Sequence, residues 1–244
     1  MKRFFPILLA ASAAVASLAA GEPPAAPAAP AAPAVPPSAR PRHSIPPEAF
    51  TTPTNFVALV SVGGAVPLDW LSSQASEMQR SLMCGFRAFE EEAAAEGGVA
   101  ASPAAGAAAF FAAHPDARIV VFLADGPGLE PVLASPYGNW AVMDAGWVKR
   151  GGGAEELVMD RMGKRVYQTL GALCGAGYRP EPQAVMRYSA TPEALDACLS
   201  HNFHPLNSNA FSTVAGAVGL DPVRLRPRKE LEAEGILQPR GAGK

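Results

Sequence analysis

Apolar runs of strand length occur at four places in the chain and predict a mixed β-sheet. Residues 55–62 and 118–124 form unbroken apolar stretches, and the β-branched second stretch is typical of a central strand covered on both faces. Shorter runs at 86–89 and 140–143 predict two further strands. Residues 129–134, which lie between the strands predicted at 118–124 and 140–143, are expected to form a short helical turn. The pattern therefore indicates a sheet of about four strands.

Helical spacing of apolar residues predicts two to three helices packed on this sheet. Segments 67–83 and 101–113 account for the first two. A longer helix is predicted from residue 154 to 173, because apolar residues recur there every three or four positions. They make one buried stripe, formed by Val158, Met162, Val166, Leu170 and Leu173. Gly175 and Gly177 then end this helix.

The first 50 residues predict an export signal followed by a spacer. Lys2 and Arg3 precede an apolar run at 4–15, and small residues suited to cleavage follow it. Residues 1–20 are therefore predicted to be a signal peptide, and the protein is expected in the periplasm or outside the cell. Residues 21–50 consist mostly of alanine and proline, which cannot build a core, and predict a disordered, semi-rigid spacer. Membrane attachment is expected only through an uncleaved signal segment.

The end of the chain loses its periodic pattern. Residues 211–244 carry basic side chains among prolines and glycines and are predicted to form a poorly ordered tail. The folded part is then one domain, residues 51–210, which is long enough to bury a core.

Composition narrows the classes of partner. The formal net charge is −2, and the aromatic residues are sparse and not interleaved with basic ones, so a nucleic-acid partner is not expected. Of the three cysteines, Cys174 and Cys198 flank the methionine-containing segment after the long helix and could pair. Three buried free thiols, with Cys84 the third, are the equally supported alternative.

Chemically informative positions cluster around the long helix. Tyr167 and Gly171 are four residues apart and share a helix face, with Gln168 beside them. Metzincin zinc peptidases carry HExxHxxGxxH on such a helix: three histidines bind zinc, the glutamate acts on a zinc-bound water, and a methionine turn follows. The chain resembles this layout with different residues at the motif positions, namely Tyr167, Gln168, Gly171, Cys174 and Gly177, and with Met186 at the methionine turn.

Among metzincins the chain is most similar to the archaemetzincins. These continue from a Cys-Met pair through seventeen residues to C-x-x-C, whose cysteines bind a second, structural zinc. Here Val185 precedes Met186, seventeen residues lead to His204, and two more separate it from Asn207. The order and spacing of the family are therefore present from the first strand to Asn207, while its diagnostic ligands are replaced.

This resemblance implies an α/β (α+β) fold, a small zincin-like domain at residues 51–210. It also implies that catalysis has been lost, because an amide such as Gln168 does not take up a proton near neutral pH. We therefore expect a pseudopeptidase without a cofactor, not an enzyme. It would bind a peptide or protein through the former substrate cleft, whose candidate residues are Trp140, Tyr167, Gln168, Tyr188 and Asn207.

Two alternatives remain open at this point. Cys198, His201 and His204 are spaced three apart and would share one face of a helix, with Cys174 as a candidate fourth member. Such a set could hold a relocated zinc ion and make the protein a metal-dependent hydrolase. The second alternative is a structural cell-envelope protein, anchored by the spacer and the basic tail.

Overall fold

The computed structural model describes residues 47–92, 99, 101–126 and 128–237. They belong to one compact unit that spans residues 45–244. The predicted signal peptide and most of the predicted spacer lie outside the described residues. Within the part of the chain that the structure describes, no helix is both long and apolar enough to cross a membrane.

Five strands form one mixed sheet. They are β1 (Phe56–Val62), β2 (Gly85–Glu91), β3 (Ala117–Ala124), β4 (Val132–Ser135) and β5 (Trp140–Asp144). Their order is β2-β1-β3-β5-β4, and all neighbouring pairs are parallel except β4 with β5. The four predicted strands are confirmed. The helical turn expected at 129–134 is wrong, because that segment contains β4, which pairs with β5.

Helices cover both faces of the sheet. They are α1 (Leu68–Leu82), α2 (Pro103–Ala113), α3 (Ala145–Arg150), α4 (Glu155–Leu173), α5 (Pro205–Ala217) and α6 (Arg228–Ala233). A short 3-10 helix at Pro192–Ala197 packs on α4. The long predicted helix is confirmed as α4, whereas the sequence pattern gave no sign of α3, α5 or α6.

Two hydrophobic clusters lie on opposite faces of the sheet. Alternate residues of β3 enter different clusters: Ile119 and Val121 pack with α1, α4 and α5, whereas Val120 and Phe122 pack with α2. This period of two is what a strand buried on both faces requires. The larger cluster contains Tyr167 on α4, so the candidate site lies on this face.

The C-terminal segment is part of the domain, which corrects the expected tail. Val223 N donates to Met83 O at 2.8 Å, and Thr51 N donates to Arg224 O at 2.8 Å. Leu231 on α6 is fully buried. The boundaries predicted at 50 and 210 are therefore wrong for the residues the structure describes, since segments 47–51 and 222–226 contact each other. Hydrogen bonds between segments so distant in sequence leave no local pattern.

All three cysteines are buried free thiols. Burial and, to a smaller extent, the neighbouring thiol of Cys174 raise the pKa of Cys84 to about 12. Burial also raises the pKa of Cys174 to about 12. Of the two alternatives left open by the sequence, the structure therefore has the buried free thiols and not the Cys174–Cys198 disulfide.

Candidate functional site

Tyr167 is completely buried on the sheet-facing side of α4. Its hydroxyl lies 2.7 Å from Ser81 Oγ at the end of α1 and donates to Asn202 Oδ1 at 3.0 Å. The ring packs edge-to-face on Phe203, with centroids 5.2 Å apart. Burial raises the pKa of Tyr167 to about 12, so the phenol keeps its proton at neutral pH. Its side chain connects α4 to two other segments and does not face solvent.

Gln168 holds the segment that contains Met186. Its Nε2 donates to Val185 O at 2.9 Å and to Arg187 O at 2.8 Å, on either side of that methionine. Its Oε1 accepts from Arg165 Nη1 at 2.6 Å. Two carbonyls accept and one guanidinium donates, so the orientation of the amide is fixed by its partners. This position therefore requires a group that both donates and accepts.

Gly171 lies directly against Met186. A Cβ atom built on Gly171 would stand 2.6 Å from Met186 Cε and 3.3 Å from Phe203 Cε1, and it would also overlap Met186 Sδ. The methionine side chain is buried. Met186 therefore occupies the space into which any side chain at position 171 would project.

The chain beyond α4 is attached to α5. Gly175 adopts a φ of +68° at the helix end, and a glycine meets this requirement without strain. Gly177 O then accepts a hydrogen bond from Asn207 Nδ2 at 3.1 Å. Asn207 is buried, and its Oδ1 has no partner among the described residues. Cys174, at the end of α4, is also buried.

The structure separates the predicted cleft residues. Tyr167, Gln168 and Asn207 are buried around Met186, as described above. Tyr188 lies at the surface, 65% exposed, with its ring 5.4 Å from that of Tyr178 in an edge-to-face pair. Trp140 packs with the α2 cluster on the other face of the sheet. It is therefore not part of the group around α4.

The three residues of the relocated zinc hypothesis have separate roles. Cys198 is buried at the end of a 3-10 helix, and His201 Nε2 lies 3.3 Å from Asp160 Oδ1. His204 caps α5, accepting a bond from Leu206 N at Nδ1. The expected shared helix face is wrong, because residues 198–204 are not helical. Across the described ranges, no group of three or more His, Cys, Asp or Glu side chains is arranged to hold a metal ion.

The α4 helix also carries a buried polar stripe that the apolar pattern of the sequence did not indicate. Arg161, Lys164 and Arg165 are all buried, although each carries a charge. Arg161 forms a two-pronged pair with Asp196, at 2.7 and 2.6 Å, and Lys164 Nζ lies 2.7 Å from Asp160 Oδ2. Together with Gln168 these positions are spaced at i, i+3, i+4 and i+7, which is the signal that could have revealed a second buried face.

Two solved structures are similar to this chain. Archaemetzincin (amzA) from Methanopyrus kandleri is 20% identical and gives a TM-score of 0.49, over 66% of this chain and 96% of that one. A zinc-dependent peptidase from Methanocorpusculum labreanum is 15% identical and gives a TM-score of 0.51, over 64% of this chain and 99% of that one. No protein-family model and no curated protein sequence matches the chain. The likeness to the second structure confirms the predicted zincin-like fold, and at this identity it shows the fold alone.

The zinc that such a fold implies has no suitable ligand set at these positions. Catalytic zinc is held by three side chains with nitrogen, sulfur or carboxylate oxygen. At the positions where the metzincin resemblance would place them, this chain has a protonated phenol that is already hydrogen-bonded, at Tyr167, and two glycines, Gly171 and Gly177. Glycine offers no side-chain atom to a metal, and Met186 fills the space beside Gly171. The residues present do not fit a catalytic zinc ion.

Proposed function

We propose that this protein is a non-catalytic binding domain on a zincin-like fold, a pseudopeptidase that holds a peptide or an extended segment of a protein. The observation that supports it most directly is the contact between Gly171 and Met186. Where the metzincin layout would place a second histidine ligand, a buried methionine side chain fills the space. Restoring one ligand would therefore require repacking of the core.

The hydrogen bonds of Gln168 support the same proposal. A general base needs a free lone pair of suitable basicity directed at a water molecule. Here the amide donates to two carbonyl oxygens and accepts from Arg165, all inside the domain. Gln168 thus acts as a brace for the methionine turn rather than as a group available to a substrate.

A peptide-binding role is supported by the position of β4. This strand lies at the edge of the sheet, pairs with β5 on one side, and packs against α4. An extended peptide can add to such an edge through main-chain hydrogen bonds, a mode that needs no metal. The exposed pair Tyr178–Tyr188 provides aromatic contact area on the loop that follows α4.

We further propose that the protein is exported, since Lys2, Arg3 and the apolar run at 4–15 have the pattern of a signal peptide. N-terminal sequencing of the protein recovered from the periplasm or the medium tests this step. A chain recovered with Met1 in the cytoplasm would contradict it.

The central test measures metal content and hydrolysis on the full-length chain. We expect no stoichiometric zinc by mass spectrometry after dialysis, and no cleavage of a mixed pool of quenched fluorescent peptides with zinc added. One zinc ion per chain, lost together with chelator-sensitive hydrolysis when His201 and His204 are replaced, would instead establish the metal-dependent hydrolase.

The binding half of the proposal is tested with peptides selected from a random library on the immobilised protein. We expect Tyr188→Ala to weaken their binding. The control is Tyr137→Ala, because Tyr137 is likewise an exposed tyrosine but lies in the turn that joins β4 to β5. Equal losses of peptide affinity in both variants, or no loss in either, would show that the surface around Tyr188 does not bind the peptide.

A further inference from the structure

Arg165 is a buried charge with no counter-ion among the described residues. It is 6% exposed, and no described carboxylate lies within 4.0 Å of its guanidinium group. The other two buried cations of α4, Arg161 and Lys164, each have a carboxylate partner at 2.6–2.7 Å. The neighbouring buried carboxylate of Asp144 lies more than 4.0 Å away; its Oδ2 accepts from Arg150 at 2.6 Å, while its Oδ1 is enclosed without a partner among the described residues. Arg165 therefore differs from every comparable group on its own helix.

The hydrogen bonds of this guanidinium are incomplete. Nη1 donates to Gln168 Oε1, but Nε is fully enclosed and has no partner among the described residues. Nη2 donates no hydrogen bond to the described part of the chain, and unlike Nε it is not among the completely enclosed polar atoms. An unpaired buried charge costs several kcal/mol of folding free energy. Burial accordingly lowers the pKa of Arg165, while Tyr178, Tyr188 and Asp144 act in the opposite direction.

Aromatic side chains surround the group. The guanidinium carbon lies 4.4 Å from the centroid of the Trp147 ring, in a cation–π contact. Tyr178 and Tyr188, which are 58% and 65% exposed, form an edge-to-face pair close enough to this guanidinium to influence its pKa. We call Arg165, Trp147, Gln168, Tyr178 and Tyr188 the Arg165 site. It combines an unneutralised planar cation with aromatic walls, which suits a carboxylate on an apolar or aromatic body.

We propose that the Arg165 site binds a ligand carboxylate, which supplies the counter-ion that the folded chain does not provide. The inference rests on the proposed function and specifies the chemistry of the peptide: a free carboxylate, from a C-terminus or from an acidic side chain, docks against Arg165. Neutral peptide segments without such a group are expected to bind weakly at this point.

The test uses three small probes on the full-length, ¹⁵N-labelled protein. N-acetyl-phenylalanine carries a terminal carboxylate, the α-amide of N-acetyl-glutamate carries a side-chain carboxylate, and N-acetyl-phenylalanine amide carries none. The indole N–H signal of Trp147 reports binding, while Trp70 and Trp140 serve as internal references. We expect saturable shifts of Trp147 with at least one carboxylate, at a Kd in the range of about 1 mM, and none with the amide. The carboxylate probe that binds with the lower Kd shows whether the ligand carboxylate comes from a C-terminus or from an acidic side chain.

The variants separate this site from general charge effects. Arg165→Gln should weaken carboxylate binding about tenfold or more. The control Arg80→Gln removes an exposed arginine from α1 and should leave binding unchanged. If Arg165→Gln does not fold, Tyr188→Ala, which alters an exposed wall, should weaken the same probe.

Four results would overturn the proposal: no shift with either carboxylate up to about 10 mM, equal binding of the amide, equal loss in both arginine variants, or full binding in Tyr188→Ala. Library-selected peptides that bind equally well as C-terminal amides and without acidic residues would overturn it too, while leaving the proposed binding domain intact.

Discussion

Met186 Cε lies 2.6 Å from the point where a Cβ atom on Gly171 would stand. The glycine lies in the last turn of α4, where an alanine would ordinarily stabilise the helix by at most about 1 kcal/mol. The methionine side chain is buried, so it cannot move aside into solvent. The pair is thus a direct contact between the helix backbone and the end of the Met186 side chain, which must shift to admit a larger residue at position 171.

Gly171→Ala should therefore destabilise the domain by roughly 1 kcal/mol, because overpacking costs about 1–3 kcal/mol and outweighs the helix propensity. Urea denaturation measures this. The control is Gly216→Ala in α5, where nothing lies within 4 Å of the added carbon, and a gain of about 0.5 kcal/mol is expected. In a Met186→Val background the cost of Gly171→Ala should shrink. Equal effects of the two alanine substitutions would show that Met186 does not restrict position 171.

Gln168→Glu, which restores the residue of the metzincin motif, should lower stability at pH 7 by roughly 1–3 kcal/mol. A carboxylate would face the carbonyl oxygens of Val185 and Arg187 without a proton to donate, a loss that its ion pair with Arg165 offsets only in part. The deficit should shrink in acid, where a protonated carboxyl can donate once. The matched control is Gln79→Glu, since Gln79 Oε1 accepts from Phe86 N and a carboxylate can do the same. If Gln168→Glu is as stable as this control, the amide is not the brace described here.

Much of the fold could be predicted because local periodicity carries it. The unbroken run of β3 and the apolar stripe of α4 are signals within one element, and both are confirmed. By contrast, β4 is four residues long and exists through its pairing with β5. The α5 helix, PLNSNAFSTVAGA, is rich in residues of low helix propensity, and its buried Phe211 and Ala215 anchor it to the core.

The candidate site could be located but not described from the sequence. The resemblance to the metzincin layout placed Tyr167, Gln168, Gly171 and Met186 near one another, as motif positions. Their partners could not be inferred, because Ser81 is 86 residues from Tyr167 and Val185 is 17 residues from Gln168. The missing counter-ion of Arg165 is likewise a property of the packed structure, since acidic residues elsewhere in the chain could have supplied one.

Stability should fall as the pH rises above about 8.5. Cys84, Cys174 and Tyr167 each have a folded-state pKa raised to about 12 by burial, whereas unfolded thiols and phenols ionise near pH 8.5 and 10. The folded chain thus retains protons that the unfolded chain loses. The contribution of these three groups to the free energy of unfolding is fully present below their unfolded-state pKa values. It is lost as the pH rises toward their folded-state pKa of about 12. Each group contributes a slope of at most about 1.4 kcal/mol per pH unit.

Urea denaturation at pH 7.5, 8.5, 9.5 and 10.5, with a reducing agent present, measures this slope. Between pH 7.5 and 9.5 we expect a loss of roughly 2 kcal/mol from the two thiols. Replacing Cys84 and Cys174 by alanine should flatten the curve below pH 10, and Tyr167→Phe should flatten it only above pH 10. A curve with the same slope in all variants would mean that other groups control the alkaline unfolding.

A chain that ends at residue 210 should fail to fold, although the sequence pattern had suggested a dispensable tail from that point. It would lose Phe211, Leu220, Val223 and Leu231, which are all buried. Truncation of one large buried side chain costs about 2–5 kcal/mol, and a domain is stable by about 5–15 kcal/mol, so four such losses exceed the available stability. A chain that ends at residue 237 keeps every described contact and serves as the control. Thermal melting followed by circular dichroism should show a cooperative transition for the control and none for the shorter chain. A cooperative transition for the chain ending at 210, at the temperature of the control, would instead make α6 and the 222–226 segment accessories to a core complete without them.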